Sequence, residues 1–250
     1  MSAPRLLNLG CGCRFHPDWL NVDLVSRHPE VMECDLSCGL PFAEASMDAV
    51  YASHMLEHLE RPKAAALLSE CRRVLRPGGV LRLAVPDFEA MARLYVQILD
   101  GCLAGDEEAK RRYEWITLEL FDQLVRTRPG GDVVRYWAKD PMPAEAFVFE
   151  RVGEEARRAI DALRAKGGAL PPEPQGAEAQ ARFRESGELH RWMYDRWSLA
   201  CLLTQAGFAQ PQACGADASA IPGFAAYGLE TDEQGRVRKP DSLFMEALRP

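Results

Sequence analysis

Leu6-Leu7-Asn8-Leu9 runs straight into the turn Gly10-Cys11-Gly12, and after a short gap comes Leu20-Asn21-Val22-Asp23. One apolar run ends in glycines and the next ends in an acid. This is the pattern of two parallel strands whose carboxyl ends hold a nucleoside. The glycines let the backbone approach a ligand closely. The carboxylate can accept two hydrogen bonds from a ribose diol. Arg14 stands near where the third glycine of a dinucleotide fingerprint would fall. A pyrophosphate seat on a helix N-terminus is therefore not expected, and the pattern suits a nucleoside that needs no phosphate cradle.

Three later segments continue the pattern. Glu33-Cys34-Asp35-Leu36 reads as a third strand end with its own acid, and Met47 to His54 as a fourth strand running into a polar loop. Arg72 to Leu83 reads as a helix end, a Pro77-Gly78-Gly79 turn and a fifth strand. With L-N-L-G-C-G at Leu7–Gly12, H-x-L-E-H at His54–His58 and L-x-P-G-G at Leu75–Gly79, the chain resembles the class I S-adenosylmethionine-dependent methyltransferases, closest to a branch of small bacterial enzymes. The resemblance covers roughly the first 90 residues and, more weakly, the end of the chain. One motif alone is weak, whereas five in order, each at an expected strand or helix end, are specific.

The resemblance implies S-adenosyl-L-methionine as cofactor and assigns roles residue by residue. Gly10, Cys11 and Gly12 would face the methionine part and the ribose. Asn8 stands where the family commonly has an acid and would accept from the cofactor's ammonium without charge pairing. Asp23 would hold the ribose hydroxyls, Asp35 and Leu36 the adenine, and Ser53 and His54 the methionine part and the transferred methyl.

The spacing departs from the family's pattern. Gly10 and Asp23 are thirteen positions apart, Asp23 and Asp35 twelve. A crossover helix plus strand needs more room than that. The linkers Arg14–Trp19 and Ser26–Val31 contain Pro17 and Pro29 and show no helical period, so only turns or short 3₁₀ pieces are expected there. That leaves one sheet face and the cleft bare unless another part of the chain covers them. Beyond residue 88 the strand signals fade. Helical spacing predicts helices over Glu89–Gly101, Glu107–Val125, Pro143–Ala165, Gln180–Trp192 and Tyr194–Ala206, with Gly207 as a terminal cap and Gly167–Gly176 as a loop. Phe208–Cys214 and Leu243–Leu248 complete the strands. The expected fold is α/β, a doubly wound, mostly parallel Rossmann-like sheet with shortened early crossovers and a large helical insertion after the fifth strand. Residues 1–87 and 195–250 form the cofactor-binding core. Residues 88–194 form the insertion, read as a lid over the substrate in preference to an interface in a homodimer.

His54-Met55-Leu56-Glu57-His58 also fits H-x-x-E-H, in which two histidines four apart share a helix face and suit zinc. Its setting between a strand and an Ala-Leu-rich helix favours the methyltransferase reading, with His54 facing the cleft and His58 packed at the helix start. Cys11, Cys13, Cys34 and Cys38 have spacings that suit thiolate ligands, yet Cys11 lies in the turn and Cys34 in a strand, so they are read as ordinary thiols and no metal is expected. Methyl transfer to a hydroxyl needs a base, for which His54, Asp87 and His190 are the candidates. His190 lies in the polar-aromatic run Glu188–Asp195, where Trp192 and Tyr194 read as core and Asp195 as a helix cap.

With 250 residues the chain is long enough for one domain with an inserted subdomain, and its net charge of -7 argues against a nucleic-acid partner. The sequence offers no bilayer-spanning run and no N-terminal signal, so a cytoplasmic location and no membrane partner are expected. The expected function is an S-adenosylmethionine-dependent methyltransferase with a small-molecule acceptor, hydroxyl or amine, such as a saccharide or secondary metabolite. The alternatives are a zinc-dependent hydrolase on His54, Glu57 and His58, and a non-catalytic S-adenosylmethionine-binding protein, which the nonstandard Asn8 and Arg14 leave open.

Overall fold

A computed structural model describes residues 4–26 and 28–250. They divide into two compact units. The first runs to Pro86 and resumes over Tyr194–Val237 and Ser242–Pro250. The second is Asp87–Met193 with Arg238–Asp241.

The first unit is built on a seven-stranded sheet: β1 (Leu6–Leu9), β2 (Trp19–Asp23), β3 (Val31–Glu33), β4 (Met47–Ser53), β5 (Leu75–Pro86), β6 (Ala209–Cys214) and β7 (Ser242–Leu248). Their order is β3-β2-β1-β4-β5-β7-β6, and β7 runs antiparallel to both neighbours. The strand order reverses beside β1, between β1 and β4. That is where an open α/β sheet parts its loops and admits a ligand. The sheet is the doubly wound, mostly parallel α/β fold that the sequence predicts. As expected from the short linkers, β1, β2 and β3 follow one another with no described helix between them.

The two sheet faces are covered differently. On one, helix α1 (Arg61–Val74) lays Ala64, Leu67, Leu68 and Cys71, at helical spacing, over Leu7, Leu9, Val50 and Leu81. A later helix, Arg196–Gln205, adds Leu199 and Leu203 to the same core. The opposite face carries Leu6, Trp19, Ala49, Tyr51 and Val80. Ile221, Phe224 and Leu229, from the connection between β6 and β7, pack against them. Thus the face left bare by the early crossovers is covered within the first unit by an irregular segment near the C-terminus. Its rings meet edge-on: Phe224 lies 5.5 Å from Tyr51 and Tyr227 lies 5.4 Å from Trp19. The segment is anchored through buried Arg82, which donates to the carbonyls of Gly215, Ala216 and Ala218 and pairs with Glu246 Oε1 at 2.8 Å.

The Pro77-Gly78-Gly79 turn lies inside β5. Met47 pairs with Leu75 and Ala49 with Val80, so Arg76–Gly79 are looped out of the ladder. Gly78 takes a left-handed φ of 78° there.

In the second unit α2 (Phe88–Leu103), α3 (Glu107–Val125), α4 (Gly131–Trp137), α5 (Glu145–Ala165) and α6 (Gly176–Arg184) gather a separate core around Trp115, Ile116, Tyr136, Val148 and Ile160. The helix over Arg196–Gln205, in the first unit, is α7. Three expectations need correction. Helix α4 has no sequence counterpart, because its cap comes from afar: Asp122 of α3 accepts from Asp132 N–H at 2.6 Å. Helix α5 is broken at Gly153, where a Cβ would stand 2.3 Å from the Arg238 carbonyl oxygen. The helix expected over Gln180–Trp192 spans Gly176–Arg184 instead. Past it the chain bonds to α3: His190 N–H donates to the Gln123 carbonyl, whose side chain returns a bond to the Glu188 carbonyl.

Candidate active site

The carboxyl ends of β1, β2 and β4 present the residues the sequence singles out. After β1 the backbone turns through Gly10 and Gly12, at φ of 62° and 55°, where an L side chain is strained. A Cβ on Gly10 would lie 2.4 Å from Met55 Cγ, whereas nothing stands within 4 Å of one on Gly12. Gly12 therefore opens onto space. Its N–H donates to Asp23 Oδ2 at 2.6 Å and fixes the carboxylate at the end of β2. The other oxygen, Oδ1, lies 3.4 Å from Val25 N–H. Asp35 lies exposed just past β3, with Cys38 Sγ 3.6 Å from its Oδ2. Leu36 packs against the main core from a 3₁₀ turn over Leu36–Cys38.

Asn8 is different. Its side chain is fully buried and donates to Asn21 Oδ1 at 3.1 Å and to the Arg14 carbonyl at 3.2 Å. The amide ties β1 to the linker that replaces the first crossover helix, an attachment that residue type and position alone do not show. Its Oδ1 is buried and has no hydrogen-bond partner among the described residues.

Burial, and then the Asp23 charge, push the Cys11 thiol up to about 11. Burial also raises Cys34. Neither environment favours a thiolate ligand. All eight cysteines are free thiols.

At the end of β4, Ser53 is half-buried and His54 takes a left-handed φ of 49°. Only a few per cent of residues other than glycine do so, and such strain gathers at functional sites. The conformation aims the two ring nitrogens in different directions. Nε2 lies 2.7 Å from Ser242 Oγ at the start of β7. Nδ1 lies 3.4 Å from Oε1 of Glu57, whose side chain is fully buried. His58 Nε2 stands 4.0 Å from the same oxygen. Leu56–His58 form one 3₁₀ turn, and α1 starts only at Arg61. His54 and His58 therefore do not share the helical face that H-x-x-E-H needs for zinc. Glu57 was legible in the motif. Ser242, 188 positions from His54, was not.

Tyr194 belongs to the main core, and burial and nearby Glu57 push its hydroxyl up to about 12. Asp195 caps α7, accepting from Trp197 and Ser198 N–H. Trp192, expected in the core, is exposed. The two other candidate bases belong to the second unit. Asp87 caps α2 by accepting from Ala90 N–H at 3.0 Å. His190 lies in the irregular run after α6.

Residues 7–83 match the family model described as a methyltransferase domain. Over these residues the chain is similar to a methyltransferase domain. The family, with the class I strand order, implies S-adenosylmethionine as the methyl donor. The residues present fit it: a half-buried carboxylate at the end of β2, and a glycine turn that opens onto space at Gly12. Among curated proteins, the domain is similar to an O-methyltransferase, resE, of Aspergillus sclerotiorum. The two are 32% identical over 127 residues, 47% of this chain and 46% of that protein. It is also similar to an uncharacterized 37.1 kDa protein in transposon TN4556 of Streptomyces fradiae. That match is 34% identical over 87 residues, 35% of this chain and 21% of that protein. The matches thus span less than half the length of these relatives. Among solved structures, a SAM-dependent methyltransferase of Methanosarcina mazei is 13% identical with a TM-score of 0.43, over 100% of this chain and 94% of that one. One from Mesorhizobium loti is 18% identical with a TM-score of 0.41, over 99% and 92%. No described helix is long and apolar enough to cross a membrane.

Proposed function

We propose that the protein transfers a methyl group from S-adenosylmethionine to a small-molecule acceptor, through a hydroxyl or amine of a saccharide or secondary metabolite. The observation that carries this reading is the Gly12–Asp23 contact at the strand-order reversal. It sets a carboxylate beside an open glycine turn, where a ribose diol can be gripped. Gly10, Cys11 and Gly12 would lie along the methionine part and ribose, Asp35 and Leu36 beside adenine, and Ser53 and His54 towards the methyl. Bound there, the cofactor supplies a sulfonium methyl whose bonding electrons return to sulfur when the acceptor takes it. The chain's task is to align the acceptor in line and, for a hydroxyl, to accept its proton. The similarity to a protein named as an O-methyltransferase supports a hydroxyl. His54 is the base this reading favours, since Asp87 already caps a helix. The helical unit is assigned the role of a lid on the acceptor side, with His190 as its contribution.

Calorimetry with S-adenosylhomocysteine tests the cofactor assignment. Saturable one-to-one binding is expected, and no binding by the parent protein overturns the reading.

A further inference from the structure

Ser242, His54 and Glu57 form a chain of three groups inside the first unit. Ser242 Oγ is 2.7 Å from His54 Nε2, and His54 Nδ1 is 3.4 Å from Glu57 Oε1. A nucleophile-type hydroxyl, an imidazole and a buried acid in this order are how proteins activate an oxygen. The strained backbone of His54 is held by its own N–H, which donates to the Ala84 carbonyl at 2.8 Å. The imidazole keeps a small exposed edge, while the Glu57 side chain is wholly buried.

We propose that this chain is a proton relay and that the acceptor is therefore a hydroxyl compound; the proposal rests on the methyl-transfer reading above. Ser242 meets the acceptor. Glu57 is a positioning residue: it holds the proton on Nδ1, so that Nε2 is bare and faces Ser242. As the acceptor oxygen forms its bond to the methyl carbon, the carbon–sulfur bond breaks and its electron pair stays on sulfur. The acceptor's proton passes to Ser242 Oγ while the serine's own proton moves to Nε2. The products are a methyl ether, S-adenosylhomocysteine and an imidazolium beside the Glu57 carboxylate. The imidazolium returns its proton to water after release. A neutral amine attacks through its own lone pair and loses a proton only after the methyl has been transferred, whereas a hydroxyl has to give up its proton as the bond forms, which is the task this chain performs. Among the described residues of this unit, Glu57 and His58 stand beside His54, and Tyr194 lies near both Glu57 and Arg61.

The test is the tautomer of His54, read by long-range proton–nitrogen correlation on the full chain labelled with ¹⁵N-histidine near neutral pH. The signal is assigned with His54→Asn, a residue that tolerates the left-handed backbone. The expected result is a dominant Nδ1–H form, with Nε2 shifted when Ser242→Ala removes its donor. In Glu57→Leu, which takes the carboxylate from beside Nδ1, the preference should swing measurably towards Nε2–H. A dominant Nε2–H form in the parent overturns the relay, because Ser242 would then only accept a bond. So does an Nε2 signal indifferent to Ser242→Ala, which keeps the test decisive should Glu57→Leu fail to fold. S-adenosylhomocysteine calorimetry separates the two readings. Ser242→Ala should bind within about twofold of the parent, and a loss of tenfold or more would place Ser242 in the cofactor seat instead and overturn its acceptor role. No binding by the parent removes the methyl-transfer reading, and the acceptor role with it, whatever the tautomer.

Discussion

Asp23 is held by Gly12 N–H, which donates to Oδ2 at 2.6 Å, while its Oδ1 has a longer contact, 3.4 Å from Val25 N–H. If that oxygen grips a ribose, Asp23→Ala removes a charged acceptor worth about 1.5–3 kcal/mol, or ten- to a hundredfold in S-adenosylhomocysteine affinity. Calorimetry on parent and variant checks this, and an unchanged dissociation constant takes Asp23 out of the site. The acid was legible because turn, strand and carboxylate lie within a dozen positions. Asn8 shows the limit of such reading. Its place in the motif suggested the cofactor's ammonium, while its amide nitrogen is committed to Asn21 and the Arg14 carbonyl. Residue type and position say what a group can do, and neighbours from other strands decide what it does.

At the scale of elements, two clamps hold loops to the sheet. Glu70 of α1 accepts from Arg73 and from Leu40 N–H at 2.9 Å, and Arg73 donates to the carbonyls of Leu40 and Phe42. The Arg73 guanidinium first, and the Leu40 N–H second, lower the Glu70 carboxyl from 4.5 to about 2 against its burial. A depressed carboxyl stabilises fully above its unfolded value and ceases to as pH falls through the folded one. Glu70→Gln should therefore cost on the order of 1 kcal/mol at pH 7, reduced by solvent screening, with the gap to the parent closing between pH 4.5 and about 2. Urea unfolding across that window measures it. A cost that does not change with pH would mean that only shape matters. The second clamp is Arg82 with Glu246. Arg82→Met strands a buried carboxylate and frees three carbonyls, so a loss of about 3–5 kcal/mol is expected. Replacing Glu246 by Met as well should recover part of it, as read from unfolding midpoints. A double variant no better than the single would show that the carbonyl bonds, and not the stranded charge, set the cost.

For the molecule as a whole, ligand linkage gives the test. At a hundredfold excess over the dissociation constant, S-adenosylhomocysteine should add about 2.7 kcal/mol to stability. Hydrogen exchange then shows where. Protection is expected around residues 9–36, and the lid role proposed for the helical unit requires protection within residues 89–185 as well. A helical unit that stays unprotected while the protein sediments as a dimer would make that unit an interface. The sequence alone determined the sheet, its short crossovers, most of the helices and the glycine–acid pair, because each is written in local periodicity or in a turn a few residues long. Only the tertiary structure decided that the bare sheet face is covered by residues 221–229, that Asp122 starts α4, and that Ser242 stands on His54. Those contacts join positions far apart in the chain through segments with no period of their own. Their energy exists only once the strands have brought them together.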